Sequence, residues 1–262
     1  MKTKKFRMAF LGIGFLAGAM LTQAQEYKIP VENSKDGKLS LENFMGDLPI
    51  EGYNGKEIII TSTSDAIVVP ERAKGLKPIF PSGTDNTGMG LFVEKNGNQI
   101  TITCLLPITK HGEYKLKVPE NLSLKSESGC ERSNAISIHG MKNEIEIKTC
   151  HSISLKDVTG PLVLSTIAGN IDVVFENIST DRPCSINSIS GEVDVTLPAK
   201  TAATLEMKTI SGTIFSDFDF PEAPKKNMKQ VGGNDLKYQL NGGGATFSFV
   251  TVSGNVYLRK GK

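Results

Sequence analysis

A four-residue motif ending in glycine recurs along this chain and restricts what it can fold into. It reads Thr166-Ile167-Ala168-Gly169, Ser188-Ile189-Ser190-Gly191, Thr209-Ile210-Ser211-Gly212 and Thr251-Val252-Ser253-Gly254. Ser126-Glu127-Ser128-Gly129 is an earlier, weaker copy. The glycines are spaced by 40, 22, 21 and 42 residues, close to two, one, one and two units of about 21. Motif and period agree independently, which marks a repeat architecture. On either side of the glycines apolar and polar residues alternate, as in Leu205-Glu206-Met207 before and Ile171-Asp172-Val173 or Val193-Asp194-Val195 after. A period of two is the pattern of a half-buried strand. The glycine between two such strands marks a bulge or corner where a side chain would collide with the neighbouring layer.

No segment shows a sustained helical period. Strands at a fixed spacing, each unit unable to bury its own apolar face, predict an all-β solenoid of stacked rungs of about 21 residues. A β-sandwich also has short strands and regular turns, but it does not need one motif to recur in register. The rungs are expected to be regular from about 114 to 258. A less regular β portion precedes them, to about 110, with strands around Leu39-Ser40-Leu41, Glu57 to Thr61 and Gln99 to Thr103. Two irregular stretches, 70–90 and 221–244, read as loops. The second spans the missing unit between Gly212 and Gly254 and reads as a rung distorted by an excursion. Neither looks like an interdomain linker, so residues 25–262 are expected to form one domain.

Residues 1–24 read as a secretory signal peptide. Lys2, Lys4, Lys5 and Arg7 precede an apolar run from Met8 to Leu21, and Thr22-Gln23-Ala24 offers a small-residue cleavage site. The run is short for a membrane span, which takes roughly 20 residues. A dinucleotide-like Gly12-Ile13-Gly14-Phe15-Leu16-Ala17 falls inside this leader, out of the strand–helix context that gives that motif its chemistry. No later stretch is apolar enough to cross a bilayer. The leader predicts export, to the periplasm or cell surface of a Gram-negative bacterium. It also changes the charge balance. The whole chain has 30 Lys+Arg and 28 Asp+Glu, a net +2, but four of the basic residues and none of the acids lie in the leader, leaving a net −2. Nucleic-acid binding, which needs a concentrated basic face, is not expected.

Candidate chemistry is sparse. The three histidines, His111, His139 and His151, lack the spacing of a helical zinc site and read as surface residues. No catalytic cluster, metal site or cofactor motif is expected, and Gly242-Gly243-Gly244 lacks the Lys-Ser/Thr of a phosphate loop and reads as a turn. Asp172 and Asp194 occupy the same place in consecutive repeats, so on stacked rungs about 4.8 Å apart they become neighbours. A solvated face is the plain reading of the pair; weak calcium binding or general acid/base work are the functional ones. The same column continues as Phe215 and Tyr257, which with the two acids could form a flat face for a sugar or protein, since rings supply contact area at low entropic cost. Cys130 and Cys150 are 20 residues apart, nearly one repeat, which puts them within disulfide reach on adjacent rungs. Cys104 and Cys184 read as buried thiols.

Further residues carry a family resemblance. Glu113-Tyr114-Lys115-Leu116-Lys117-Val118-Pro119, then Leu122-Ser123-Leu124 and Ser126 to Gly129, resemble the middle of the adhesin families of exported β-strand-repeat proteins. These are of DUF4097 type or the related head-domain DUF2807-like type, frequent in Bacteroidetes. Leu197-Pro198 leading to Leu205-Glu206-Met207, and the closing stretch from Gly244 to Leu258, match the same style. The resemblance runs from Lys38 to Leu258, more closely after Tyr114. It departs at Thr149-Cys150, where the expected glycine is absent. It implies a right-handed β-helix-like fold and an exported location, and it carries over no catalytic residues. The function expected is a binding or structural module of the cell envelope, an adhesin, with an envelope, glycan or protein ligand. The alternative is a polysaccharide lyase or hydrolase on a β-helix scaffold.

Overall fold

The computed structural model describes residues 25–63, 71–76, 79–110, 112–132, 135–178, 182–220 and 234–261. The leader, His111 and most of 221–244 therefore lie outside the described residues. Twenty strands account for nearly all of the regular structure: β1 (Gln25–Pro30), β2 (Lys38–Glu42), β3 (Leu48–Tyr53), β4 (Glu57–Ser62), β5 (Leu91–Asn96), β6 (Gln99–Cys104), β7 (Tyr114–Pro119), β8 (Ser123–Glu127), β9 (Ile136–His139) and β10 (Ile145–Thr149) come first. They are followed by β11 (Ile153–Val158), β12 (Leu162–Thr166), β13 (Ile171–Phe175), β14 (Cys184–Ser190), β15 (Val193–Leu197), β16 (Ala203–Ser211), β17 (Ile214–Ser216), β18 (Asn234–Leu240), β19 (Thr246–Ser253) and β20 (Val256–Lys260). No helix among the described residues is long and apolar enough to cross a membrane.

The strands form two ten-stranded sheets, and the chain is a β-solenoid. Sheet I runs β1-β4-β7-β3-β9-β11-β13-β15-β20-β17, and sheet II runs β18-β16-β19-β14-β12-β10-β8-β2-β6-β5. Consecutive strands such as β12 and β13 form one rung, giving one strand to each sheet, and neighbouring rungs pair in parallel. Alternation places one set of side chains between the sheets. Ile145, Leu162 and Ile186 on sheet II, and Ile153, Ile171 and Val193 on sheet I, are fully buried. Each such side chain contributes roughly 1.5–3 kcal/mol by leaving water.

The recurring glycine is explained by the corner between the sheets. A Cβ built on Gly191 would fall on the Gly169 carbonyl, and one on Gly254 would fall on the Gly191 carbonyl. The same relation joins Gly212 to Gly254. Backbones of adjacent rungs touch here, and only glycine leaves room. The Ser or Thr three residues earlier closes the contact. Ser188 Oγ donates to the Gly169 carbonyl (3.0 Å), Thr251 Oγ1 to that of Gly191 (2.8 Å), and Thr209 Oγ1 to that of Gly254 (2.8 Å). These buried hydroxyls satisfy carbonyls that would otherwise lack a partner at the corner.

Two sequence expectations need correction. Gly129 is not part of this column. Ser126 stands beside Ile147, and Ile147 beside Leu164, so Ser126 is level with Leu164 and not with Thr166. A Cβ on Gly129 would meet only its own neighbour Glu131. Secondly, the described residues of the interval before Gly254 form no distorted rung. Its described part, β18, lies antiparallel on β16 as an edge strand. The chain then returns, and β19 and β20 insert between the preceding two rungs, β19 against β14 and β16, β20 against β15 and β17. The less regular N-terminal portion is part of the same solenoid stack, as expected. The rung β2/β3 sits between β6/β7 and β8/β9. Each end of the stack thus has the same device: the terminal rung of the chain lies one place in from the end. Antiparallel strands, β5 on β6, β4 on β7 and β18 on β16, cover the outer rungs.

Cys130 and Cys150 are disulfide-bonded, with Cα atoms 5.2 Å apart. The bond lies where the glycine column ends, at the rung that has Cys150 after Thr149. Cys104 and Cys184 are free and buried, and burial pushes both thiols up from their ordinary value.

Candidate functional site

The outward positions of sheet I line up across strands, because parallel pairing keeps equivalent residues level. Asp172 is beside Asp194, Asp194 beside Tyr257, and Tyr257 beside Phe215. The four residues singled out in the sequence therefore share one column. Their order differs from the chain order, since β20 lies between β15 and β17. Tyr257 consequently touches the acids and Phe215 holds the end.

That order creates contacts absent from any reading of consecutive repeats. The rings of Phe215 and Tyr257 stack with centroids 5.4 Å apart and planes 12° from parallel. Arg259, two residues beyond Tyr257 on the same face, reaches diagonally to Asp194. Its Nε donates to both carboxylate oxygens (2.8 and 3.0 Å) and its Nη2 to one of them (2.7 Å). The guanidinium carbon also lies 5.6 Å from the Tyr257 ring centroid. The Tyr257 hydroxyl donates to Glu192 (3.0 Å) and accepts from Asn255 Nδ2 (3.0 Å). The tyrosine ring is thereby fixed at its tip by hydrogen bonds and along its body by Phe215 and Arg259. Phe215, by contrast, is 49% exposed. A shallow concavity of about 240 Å³ opens between Phe215, Asp217, Tyr257 and Arg259.

Arg259 alters the chemistry open to the acid pair. Both oxygens of Asp194 are engaged, so a divalent cation at the pair would have to displace a guanidinium. Among the described residues no group of three or more His, Cys, Asp or Glu side chains is arranged as metal ligands. Asp172 has no hydrogen-bond or ion-pair partner among the described residues. Partial burial, then the charges of Asp194 and Glu192, push its carboxyl above the ordinary value, against opposing pulls from Arg259 and Lys156. The arrangement is a rigid aromatic step beside a fixed ion pair, with one unpaired acid next to it. Such a surface suits contact with a ring or a planar polar group.

Arg259 and Glu192 were missed in the sequence because their role depends on which rung adjoins which. The two described histidines are surface groups: His139 Nε2 is 2.8 Å from Asp157, and His151 is exposed.

The profile of the Toastrack family, DUF4097, matches residues 108–259, more than half of the chain. The chain belongs to the Toastrack DUF4097 family. Its fold is also similar to that of a putative cell adhesion protein from Clostridium sporogenes, at 12% identity and a TM-score of 0.46, covering 91% of this chain and 100% of that one. A putative adhesin from Bacteroides fragilis is similar at 12% identity and a TM-score of 0.38, covering 91% and 97%. A third, from Parabacteroides merdae, has 11% identity and a TM-score of 0.27, covering 92% and 97%. None of the curated proteins compared matches the chain. Within the Toastrack region lie all four members of the glycine column and all four residues of the outward column.

Proposed function

We propose that this Toastrack protein is an exported binding module of the cell envelope, adhesive in role, that engages its ligand without catalysis through the outer face of sheet I. The observation that carries the reading is the stacked Phe215–Tyr257 pair held beside the Asp194–Arg259 ion pair. Exposed aromatic rings fixed in place lose little entropy on contact, which is why they dominate binding surfaces. The leader-like residues 1–24 support the exported address. Against the alternative of a polysaccharide-cleaving enzyme stands the engagement of Asp194. Paired-carboxylate hydrolysis needs one carboxylic acid to protonate the leaving group and a second carboxylate free to act as base toward water or as nucleophile.

A glycan and protein binding array probed with the purified protein tests this. Binding to at least one ligand class is expected, lost or weakened by roughly tenfold or more in the double variant Phe215→Ala/Tyr257→Ala, on the scale of one strong contact residue. A blank array, or binding indifferent to both rings, overturns the reading. Release of reducing ends from an arrayed polysaccharide, abolished by Asp172→Asn, would establish the enzyme instead.

A further inference from the structure

A second, wider concavity lies at the other end of the same sheet face. It is an open trough of about 580 Å³ across β4, β7, β3, β9 and β11. That volume falls within the roughly 300–1,000 Å³ of small-ligand sites. The floor is low because the column that holds acids and rings at the far end here carries Pro49, Ser137 and Ser154, level with one another. Lys115 continues this column on β7, level with Thr61 of β4. Lys156 stands on β11, two residues beyond Ser154.

Among the charged residues that line the trough, two lysines form no salt bridge. Glu26 pairs with Lys28 (3.1 Å) and Lys117 with Glu51 (3.3 Å), and His139 Nε2 lies 2.8 Å from an Asp157 carboxylate oxygen. Asp157 reaches His139 from a bulge in β11, with a left-handed backbone at φ 53°, a conformation uncommon for a residue other than glycine. Lys115 and Lys156 have no salt-bridge partner among the described residues, although Asp172, level with Ser154 on the next strand, feels the charge of Lys156. The two lysines stand at opposite ends of the floor. Three strand steps separate them, roughly 14 Å at the usual spacing.

The floor itself offers two outward hydroxyls, Ser137 and Ser154, without hydrogen-bond partners among the described residues. It also offers the apolar surface of Pro49 and Ile59. The strands beneath are interior to the sheet, paired on both sides, so no backbone edge is available for an added peptide strand. Hydroxyl groups and apolar ring faces together with spaced negative charge describe an acidic sugar chain better than an acidic peptide.

We infer that the trough is a subsite for an acidic oligosaccharide, in which Lys115 and Lys156 each hold one anionic group and Ser137 and Ser154 meet the sugar hydroxyls. The inference rests on the binding-module reading and names its ligand class. An acidic envelope polysaccharide and an acidic host glycan share this chemistry.

Calorimetric titration with trigalacturonate, a heparin-derived tetrasaccharide, maltotriose and tetraglutamate tests it. Trigalacturonate or the heparin fragment should bind, and the two distinguish carboxylate-only from sulfated sources. Lys115→Ala/Lys156→Ala should weaken that binding roughly tenfold, the scale of two surface charge contacts. Lys200→Ala/Lys208→Ala, which removes the same charge elsewhere, should leave it within about twofold of the parent. Equal binding of maltotriose, preference for tetraglutamate, equal effects of the two double variants, or no binding of either acidic sugar overturns the subsite. If the acidic sugars fail while the array still gives Tyr257-dependent binding, only the subsite falls. If both are blank, the binding-module reading falls with it.

Discussion

At Gly191 two rungs meet backbone to backbone, and the residue next to it shows how local that demand is. Ser190 is exposed and holds its neighbours only through the main chain, whereas a Cβ on Gly191 collides with the Gly169 carbonyl. A carbonyl within a ladder cannot turn aside as a side chain does. Gly191→Ala should therefore cost about 3 kcal/mol, the upper range of overpacking, while Ser190→Ala stays within about 0.5 kcal/mol. In a chain of this length the first corresponds to a fall in Tm of roughly 6–12 °C, measured by thermal unfolding. Equal Tm values for the two variants would mean that the corner opens without cost. Asp172 gives a pH-dependent counterpart. Its folded-state carboxyl titrates above its unfolded value, so the folded protein binds the proton more tightly than the unfolded one. The resulting stability is fully present below the ordinary value of 3.8 and is lost as pH rises through the raised one. Asparagine imitates the protonated acid. Asp172→Asn should raise Tm at pH 7, by about 1–2 °C for a surface change, and leave it unmoved at pH 3. A gain at pH 3 equal to that at pH 7 would assign the effect to something other than titration.

At the scale of strands and corners, what could be read from the sequence was whatever one rung decides for itself. Alternation marks β13, β15 and β20 because each buries one face, and the glycine marks the corner because each corner meets the one beside it. Rung order is different. All four motifs carry the same small residues, so exchanging two rungs leaves every Ser, Thr and Gly contact in the column satisfied. Nothing local distinguishes the chain order from the order found, and Arg259 stayed hidden for that reason. The N-terminal rung was obscured by its corner. Between β2 and β3 the chain turns through left-handed Asn43 (φ 60°) and Gly46 (φ 82°) in place of the stacked motif. At the disulfide rung the corner is one residue shorter: Thr149 pairs with Thr166 and Ile153 with Ile171. Gly129 passed for a repeat glycine because it lies 40 residues before Gly169, near two repeats, although its motif sits two positions out of register. The Cys130–Cys150 bond spans this irregular corner and closes a loop of 20 residues. On chain-entropy grounds it contributes about 3 kcal/mol, so Cys130→Ala/Cys150→Ala should lower Tm by roughly 6–12 °C. An unchanged Tm would mean that rung stacking alone holds the corner.

For the whole molecule the insertion of terminal rungs changes what a truncation does. In a solenoid whose rungs follow chain order, removing the last unit peels the outermost layer, and the rest keeps its nearest-neighbour interfaces. Here the last unit, β19 and β20, lies between two others. Its Phe247, Phe249, Val256 and Leu258 are essentially fully buried, and Phe247 also meets Phe175 at 5.9 Å between ring centroids. Four such side chains contribute roughly 6–12 kcal/mol, as much as the ~5–15 kcal/mol by which a whole domain is stable. Deleting this rung also strands β16, β17 and β18, which reach the stack only through it. A chain ending at residue 244 should therefore lose its cooperative transition in urea, instead of keeping it with a slightly smaller slope. Deleting 25–30 is the control, because β1 is itself the edge strand of sheet I and pairs only with β4, so its loss should cost a fraction of that. Both are read by far-ultraviolet dichroism against urea. If the shortened chain unfolds cooperatively near the parent midpoint, the last rung is peripheral in solution and the inserted order is wrong. The inserted order instead couples both ends of the chain to the interior, so that the long face of sheet I, with its ring pair at one end and its trough at the other, opens or holds as one unit.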